Sequence, residues 1–336
     1  MSSAPVETRN QTPLLEAKQL KVYFPVKRGL IIQRTVGEVK AVDGVDLEII
    51  EGETLGLVGE SGSGKTTFGR SILRLNEPTS GSITYDGEDI LSLGRKDMRR
   101  LRSKIGMVFQ DPYGSLNPRM TVGNIVAEPI LVHKLYENRS EIKDQVLELF
   151  DTVGLNRSMA SRYPHEFSGG QRQRIGIARA LASRPKLLIC DEPVSALDVS
   201  IQAQIISLFD RLKVEQNLTY LFIAHDLSVV RHVSDRVAVM YLGHVVEQGD
   251  ADAIYRDPQH PYTKALLSAV PIPDPIVERK RERIVLKGDM PSPLNPPKGC
   301  VFNTRCPVAE DRCFVDVPLP ETFSDGRKIA CHIVNN

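Results

Sequence analysis

The sequence predicts an α/β fold: a mostly parallel sheet with helices around it, an antiparallel β layer ahead of it, a helical subdomain set into it and a Pro- and Cys-rich C-terminal extension. Three observations predict this. Residues 54–58, Thr-Leu-Gly-Leu-Val, form an apolar run of strand length that opens into a glycine-rich loop and then a helical pattern from about Lys65. Strand-length apolar runs recur at 186–189 and 218–224 with a helical pattern over 199–215 between them, and such alternation builds parallel sheet. The chain has 336 residues, 41% hydrophobic and 25% charged, which suffices for one full core, of at most about 250–300 residues, plus a smaller appended unit.

Taken in order, residues 1–13 read as a flexible tail. Segments 14–24 and 39–50 carry the β-branched, alternating pattern of strands and predict the antiparallel layer. Arg95, Lys96, Arg99, Arg100, Arg102 and Lys104 are interrupted by Asp97 and by Met98 and Leu101 at helical spacing, so this basic cluster reads as the solvated face of an amphipathic helix. From 121 to 167 the pattern is helical; residues 141–153 repeat apolar side chains three and four apart, with Gly154 as the stop. Past residue 256, prolines at 258, 261, 271, 273, 275, 291, 293, 296 and 297 interrupt every long element, so the expected organisation is a nucleotide-binding domain over 14–256 and an extension over 257–336.

Composition excludes several classes. A net charge of +1 gives no field to gather a polyanion, so no nucleic acid partner is expected. No apolar run approaches the ~20 residues that span a bilayer and the first residues lack an apolar signal core, so the expected location is cytoplasmic, with membrane contact borrowed from partners.

The chemistry concentrates in two short stretches. Gly59-Glu60-Ser61-Gly62-Ser63-Gly64-Lys65-Thr66, followed by Thr67, fits the P-loop pattern between a strand and a helix. Its glycines let backbone N–H groups converge on phosphate oxygens, the helix N-terminus adds positive charge, Lys65 reaches the β and γ phosphates and the Thr66 hydroxyl meets Mg²⁺. Leu187-Leu188-Ile189-Cys190 then runs into Asp191 and Glu192, which places Asp191 at a strand's C-terminal edge for the Mg²⁺ shell and Glu192 where it can orient and polarise an attacking water.

With these in place, Phe167-Ser168-Gly169-Gly170-Gln171, followed by Arg172, Arg174 and Arg179, resembles the signature loop of the ABC ATPase family. Gln110 after Val108-Phe109, Ser195-Ala196-Leu197-Asp198, and His225 after residues 221–224 complete the resemblance in order. The resemblance implies a P-loop NTPase of the ABC type in which Gln110 links Mg²⁺ and the γ phosphate to a transmembrane partner, His225 contacts the γ phosphate and Asp198 lies at a dimer seam. It also implies a head-to-tail dimer in which Ser168, Gly169, Gly170 and Gln171 of one subunit approach ATP held by the other. Tyr23, with Phe24 as the competitor, is the expected stacking partner of adenine.

The stretches Gln110-Asp111-Pro112-Tyr113-Gly114-Ser115-Leu116-Asn117-Pro118-Arg119, His260-Pro261-Tyr262-Thr263-Lys264-Ala265-Leu266-Leu267 and Pro291-Ser292-Pro293-Leu294-Asn295-Pro296-Pro297-Lys298-Gly299-Cys300 narrow the resemblance to the peptide and nickel importer branch, from residue 14 to about 331. That implies an ATP-hydrolysing subunit at the cytoplasmic face of the cell membrane that powers uptake of di- and oligopeptides, paired with a second ATPase beneath two permease subunits and served by an extracytoplasmic peptide-binding protein. The alternatives are the same motor for nickel or an oligosaccharide, and a soluble, non-transport ABC ATPase.

Four of five cysteines, Cys300, Cys306, Cys313 and Cys331, crowd the C-terminus with gaps of five, six and seventeen residues. Zinc sites usually bring pairs separated by about two to four residues, whereas four thiolates on a loop can hold an iron–sulfur cluster. Resemblance to the peptide-importer ATPases implies a [4Fe–4S] cluster here, with zinc and unligated thiols as alternatives. Cys190, inside an apolar strand, reads as a small core hydrophobe.

Overall fold

The computed structural model describes residues 12–28, 34–271 and 283–335. Most of the tail expected at 1–13, and Pro273 and Pro275, lie outside the described residues.

The antiparallel layer opens with β1 (Leu15–Arg28) and β2 (Arg34–Ile49), paired from Leu15 opposite Ile49 to Arg28 opposite Arg34. The layer is larger than the sequence predicts. After β3 (Thr54–Val58) and α1 (Lys65–Ile72), strands β4 (Ser80–Tyr85) and β5 (Glu88–Asp89) return to it, giving the order β2-β1-β4-β5. Ser-Gly-Ser-Ile-Thr-Tyr is too polar to announce β4, yet Ile83 and Tyr85 alternate inward and are buried.

The chain then runs through α2 (Arg95–Leu101), β6 (Ile105–Val108), α3 (Val122–His133), α4 (Arg139–Thr152), α5 (Gly169–Leu181), β7 (Leu187–Asp191), α6 (Val199–Gln216) and β8 (Thr219–Ala224). It closes with α7 (Leu227–Val233), β9 (Arg236–Tyr241), β10 (His244–Asp250), α8 (Ala251–Arg256), α9 (Pro261–Ser268), β11 (Glu321–Thr322) and β12 (Lys328–Ile329). The main sheet has the order β11-β12-β10-β9-β3-β8-β7-β6. Its centre, β9-β3-β8-β7-β6, is parallel as expected, and the β9-β10-β12-β11 side is antiparallel. Strands past residue 320 therefore complete the sheet of the core, although nothing in their polar, Pro-spaced sequence signals it.

Period-two alternation explains why the central strands are apolar throughout. In β7, Leu187 and Ile189 enter the apolar cluster shared with α1 and the antiparallel layer, whereas Leu188 and Cys190 enter the one shared with α5 and α6. Both faces are covered, so no position along β7 can be polar until Asp191 at its exit. Each such side chain contributes about 1.5–3 kcal/mol by leaving water.

Helices fill 121–167. Ile142, Val146 and Phe150 recur every fourth residue as the buried stripe of α4, and Gly154 at φ 73° ends it. Helix α2 buries Met98 and Leu101 as expected, but its basic face is not wholly solvated. Arg102 donates to the carbonyls of Leu73 and Arg74, and Arg99 to that of Val132, so two of the arginines brace α2 against neighbouring helix ends. Among the described residues no helix is long and apolar enough to cross a membrane.

Candidate nucleotide and hydrolysis site

Strand β3 delivers the loop 59–66 at the C-terminal edge of the parallel sheet, where α/β folds place their ligand sites. Two of the loop's three glycines, Gly59 and Gly64, are set by close backbone approach. A Cβ at Gly59 would stand 2.1 Å from the Met240 carbonyl oxygen, and one at Gly64 2.1 Å from that of Ala41, where φ is 106°. Ser63 is fully buried and its carbonyl accepts from the Gly243 N–H at 2.9 Å; Ser61 and Gly62 face solvent. Among the described residues no side chain caps α1, so the first-turn amides of Lys65, Thr66 and Thr67 remain available to an anion.

Lys65 is 4% exposed, and its ammonium donates to the carbonyls of Gly59 and Glu60 at 2.7 and 2.9 Å and to Ser63 Oγ at 3.3 Å. Burial pulls its pKa down to about 8, opposed by Glu192, Asp191 and Glu60. It is a cation held over the loop with fewer compensating charges than it needs, a state that incoming phosphate relieves.

Thr66 Oγ1 donates to Asp191 Oδ1 at 2.7 Å, joining the loop to the end of β7. The other oxygen, Oδ2, is buried, accepts no hydrogen bond among the described residues and faces Arg70 Nη2 at 3.6 Å. Burial raises the Asp191 pKa, against the pull of Thr66 and Arg70. A hydroxyl beside a carboxylate with an unsatisfied oxygen fits Mg²⁺, which takes one or two protein oxygens and completes its shell with phosphate and water.

Glu192 turns out of β7 with φ 47°, its N–H bonded to the Ile223 carbonyl at 2.9 Å. Its Oε2 accepts from Gln110 Nε2 at 2.9 Å and lies 3.2 Å from His225 Nδ1. Gln110 follows β6 and His225 follows β8, so β6, β7 and β8 each deliver one member of this constellation. The left-handed backbone at a non-glycine residue is a strained conformation that local bonds over-determine. A small cavity of about 50 Å³ opens here, lined by Glu192, Ser195, Gln202 and His225 among others.

Other expected residues have local duties. Ser168 caps α5 in a reciprocal box: its Oγ accepts from the Gln171 N–H at 3.4 Å, and Gln171 Oε1 accepts from the Ser168 N–H at 3.0 Å. A Cβ on Gly170 would press to 2.5 Å from Ile201 at the start of α6, while Gly169 has room, with Leu197 at 3.6 Å. Among the described residues no hydrogen bond or ion pair joins 168–171 to 59–66. Asp198 caps α6 by accepting from the Ile201 N–H, and its hydrogen bond from Ser200 leads in holding its carboxyl below the usual range.

The two aromatic candidates part company. Tyr23 Oη donates to Asp43 Oδ1 at 2.5 Å and its ring lies 5.6 Å from Lys40 Nζ, whereas Phe24 is 39% exposed and carries no polar group to be tied down. Sequence reasoning also missed Arg70 beside Asp191, and it missed the grip of the C-terminal extension on Glu60 described below. Arg70 sits at a helical spacing of four from Thr66, a signal that could have found it.

Comparison with known proteins accords with this geometry. Residues 42–195 match the ABC transporter family, and residues 246–313 match the family described as oligopeptide/dipeptide transporter, C-terminal region. The chain is 57% identical over 325 residues to the oligopeptide transport ATP-binding protein AppF of Bacillus subtilis, covering 96% of this chain and 98% of that one. It is 55% identical over 309 residues to the oligopeptide transport ATP-binding protein OppF of Salmonella typhimurium, covering 92% of each. Among solved structures, the post-hydrolysis dimer of the ATP-binding cassette MJ0796 bound to ADP and Pi aligns with a TM-score of 0.63 at 30% identity, over 70% of this chain and 98% of that one. Fold and site together define an ATPase of the ATP-binding cassette class. The chain belongs to the ABC transporter family, within its oligopeptide and dipeptide transport ATP-binding proteins.

Proposed function

We propose that this ATPase powers the uptake of di- and oligopeptides at the cytoplasmic face of the cell membrane. The observation that carries the catalytic part is the convergence of Gln110 and His225 on Glu192, one residue past the Asp191 that bonds Thr66 of the phosphate loop. Lys65 and the loop amides take the phosphates, with Tyr23 or the freer Phe24 under the adenine. Thr66 and Asp191, with Gln110, would hold Mg²⁺, which would supply positive charge against the phosphates. Glu192 orients the attacking water, and its two partners keep the carboxylate aimed.

Ser168, Gly169, Gly170, Gln171 and Asp198 cluster at the start of α5 and α6 without a bond to their own phosphate loop, which supports a site completed by a second ATPase, a copy or a sibling. The dimer is the two-state element: ATP closes it and hydrolysis reopens it. Two permease subunits and an extracytoplasmic peptide-binding protein complete the assembly. Peptide as the cargo rests on the match of residues 246–313 and on the relatives' names.

A metal on the four C-terminal cysteines is proposed from their crowding in the sequence. Burial pushes the Cys300 thiol up to about 11, and Cys313, Cys331 and Cys306 are all close enough to add to the shift. Yet among the described residues no three His, Cys, Asp or Glu side chains converge as a single metal ion requires. The reading of a [4Fe–4S] cluster rather than zinc rests on the cysteine spacing in the sequence. When bound, such a cluster cross-links the loop 300–313 to Cys331.

Gentle solubilisation of membranes carrying the tagged chain, followed by mass spectrometry, tests the assembly. Two multi-span permeases and an ATPase partner are expected to copurify. Recovery from the soluble fraction with ribosomal or repair proteins and no permease would overturn the transport reading.

A further inference from the structure

Within the phosphate loop, Glu60 is gripped from outside the nucleotide site. Its N–H donates to Tyr262 Oη at 2.9 Å, and both its carboxylate oxygens accept from Arg305 Nη1, at 3.0 and 3.1 Å. Both partners lie beyond residue 256: Tyr262 in α9, and Arg305 in the loop that carries Cys300 and Cys306. Tyr262 is fully buried, and the Arg305 side chain is 8% exposed against 29% for that of Glu60. Beneath them Phe302 packs 5.1 Å from Tyr241 and 5.3 Å from Tyr262, centroid to centroid, and Arg305 lies 5.9 Å from the Tyr241 ring. On its other side, Glu60 accepts from Lys65 Nζ through its carbonyl. One residue therefore connects the C-terminal extension to the lysine that meets phosphate.

The charge of Glu60 is otherwise out of place. A carboxylate in a loop that must receive a triphosphate repels the ligand, and partial burial weakens the screening that would hide it. One guanidinium nitrogen shared between both oxygens neutralises that charge and fixes where it points. We propose that Arg305 is a positioning residue of the nucleotide site: acting from the C-terminal extension, it neutralises and anchors Glu60 so that the loop amides and Lys65 are preset for ATP. Tyr262 is the second peg of the same clamp. Displacement of the cysteine-bearing loop then reaches ATP affinity through a single ion pair. The proposal rests on the reading of residues 59–66 as the phosphate loop.

Equilibrium binding of a fluorescent ATP analogue to the full-length chain tests it, with thermal unfolding of each ligand-free variant alongside. Arg305→Ala is expected to weaken binding about tenfold, the scale of one charge-assisted contact. Arg305→Lys, which keeps the charge on a shorter side chain with a differently placed nitrogen, should fall between. Adding Glu60→Gln to Arg305→Ala should restore affinity to within about twofold of the parent, because the uncompensated carboxylate is gone. A merely structural brace gives no such rescue, so a folded double variant that binds as weakly as Arg305→Ala overturns the proposal. Should Arg305→Ala fail to fold, Arg305→Lys decides, and unchanged affinity in it refutes the idea. Lys65→Ala separates the two levels: if it loses binding while Arg305→Ala does not, only this proposal fails, whereas undiminished binding in Lys65→Ala sinks the phosphate-loop reading and the proposal with it.

Discussion

At the residue scale, burial and neighbouring charge pull Lys65 in opposite directions, and burial wins, leaving its pKa at about 8. Below pH 8 the ammonium is charged and, in the proposed site, would meet the phosphates as a cation; above it the free protein loses the proton, and binding would require taking one up again. ATP affinity is therefore expected to be flat below about pH 7 and to fall between pH 8 and 9, approaching about one decade per unit. A titration of affinity across that range checks it, and a flat profile to pH 9 would show that Lys65 stays charged or does not touch the phosphates. Asp191 is the counterpart, a buried carboxylate pushed upward with one oxygen lacking a hydrogen bond among the described residues. It is the side chain most improved by a bound cation.

At the scale of elements, the sequence was legible where chemistry and burial are local. The strand entering Gly59, the helix leaving at Lys65, the all-apolar β7 ending at Asp191 and the fourfold repeat of α4 each follow from a pattern within a few residues. What was not legible depended on distant partners. Strand β4 is a polar hexapeptide whose two inward residues, Ile83 and Tyr85, matter only because β1 lies beside it. Strands β11 and β12 are two residues each and exist because β10 offers an open edge. The basic face of α2 looked idle because its acceptors, the carbonyls of Leu73 and Val132, are remote in sequence. The cysteine loop is a case of partial legibility: four thiols crowd the sequence and share one neighbourhood in space, while their spacing leaves the occupant open. Cys306→Ser is expected to remove iron and visible absorbance from anaerobically purified protein without abolishing ATP binding. Stoichiometric zinc in a colourless parent protein would decide against the cluster.

At the scale of the whole molecule, the proposed hydrolysis residues arrive from β3, β6, β7 and β8 at one edge of a shared sheet, while, among the described residues, 168–171 form no hydrogen bond or ion pair with the loop 59–66. This arrangement supports the proposed pairing with a second ATPase. The extension beyond residue 256 is part of the same core, since Cys300, Phe302 and Cys313 lie in one apolar cluster with Tyr241 and Tyr262. It reaches the phosphate loop at Glu60, so the part of the chain that marks the peptide-transport relatives is also in mechanical contact with the nucleotide site.

Whether peptide uptake depends on Glu192 decides if this chain is the motor of a peptide importer. Cells lacking this chain are given labelled di- and oligopeptides, with either the parent protein or Glu192→Gln restored from a plasmid. The account predicts that the parent restores uptake and that Glu192→Gln does not, even though the purified variant still binds ATP, with turnover reduced about 10²–10⁴-fold. Uptake that is normal without the chain, or that Glu192→Gln supports as well as the parent, would contradict it.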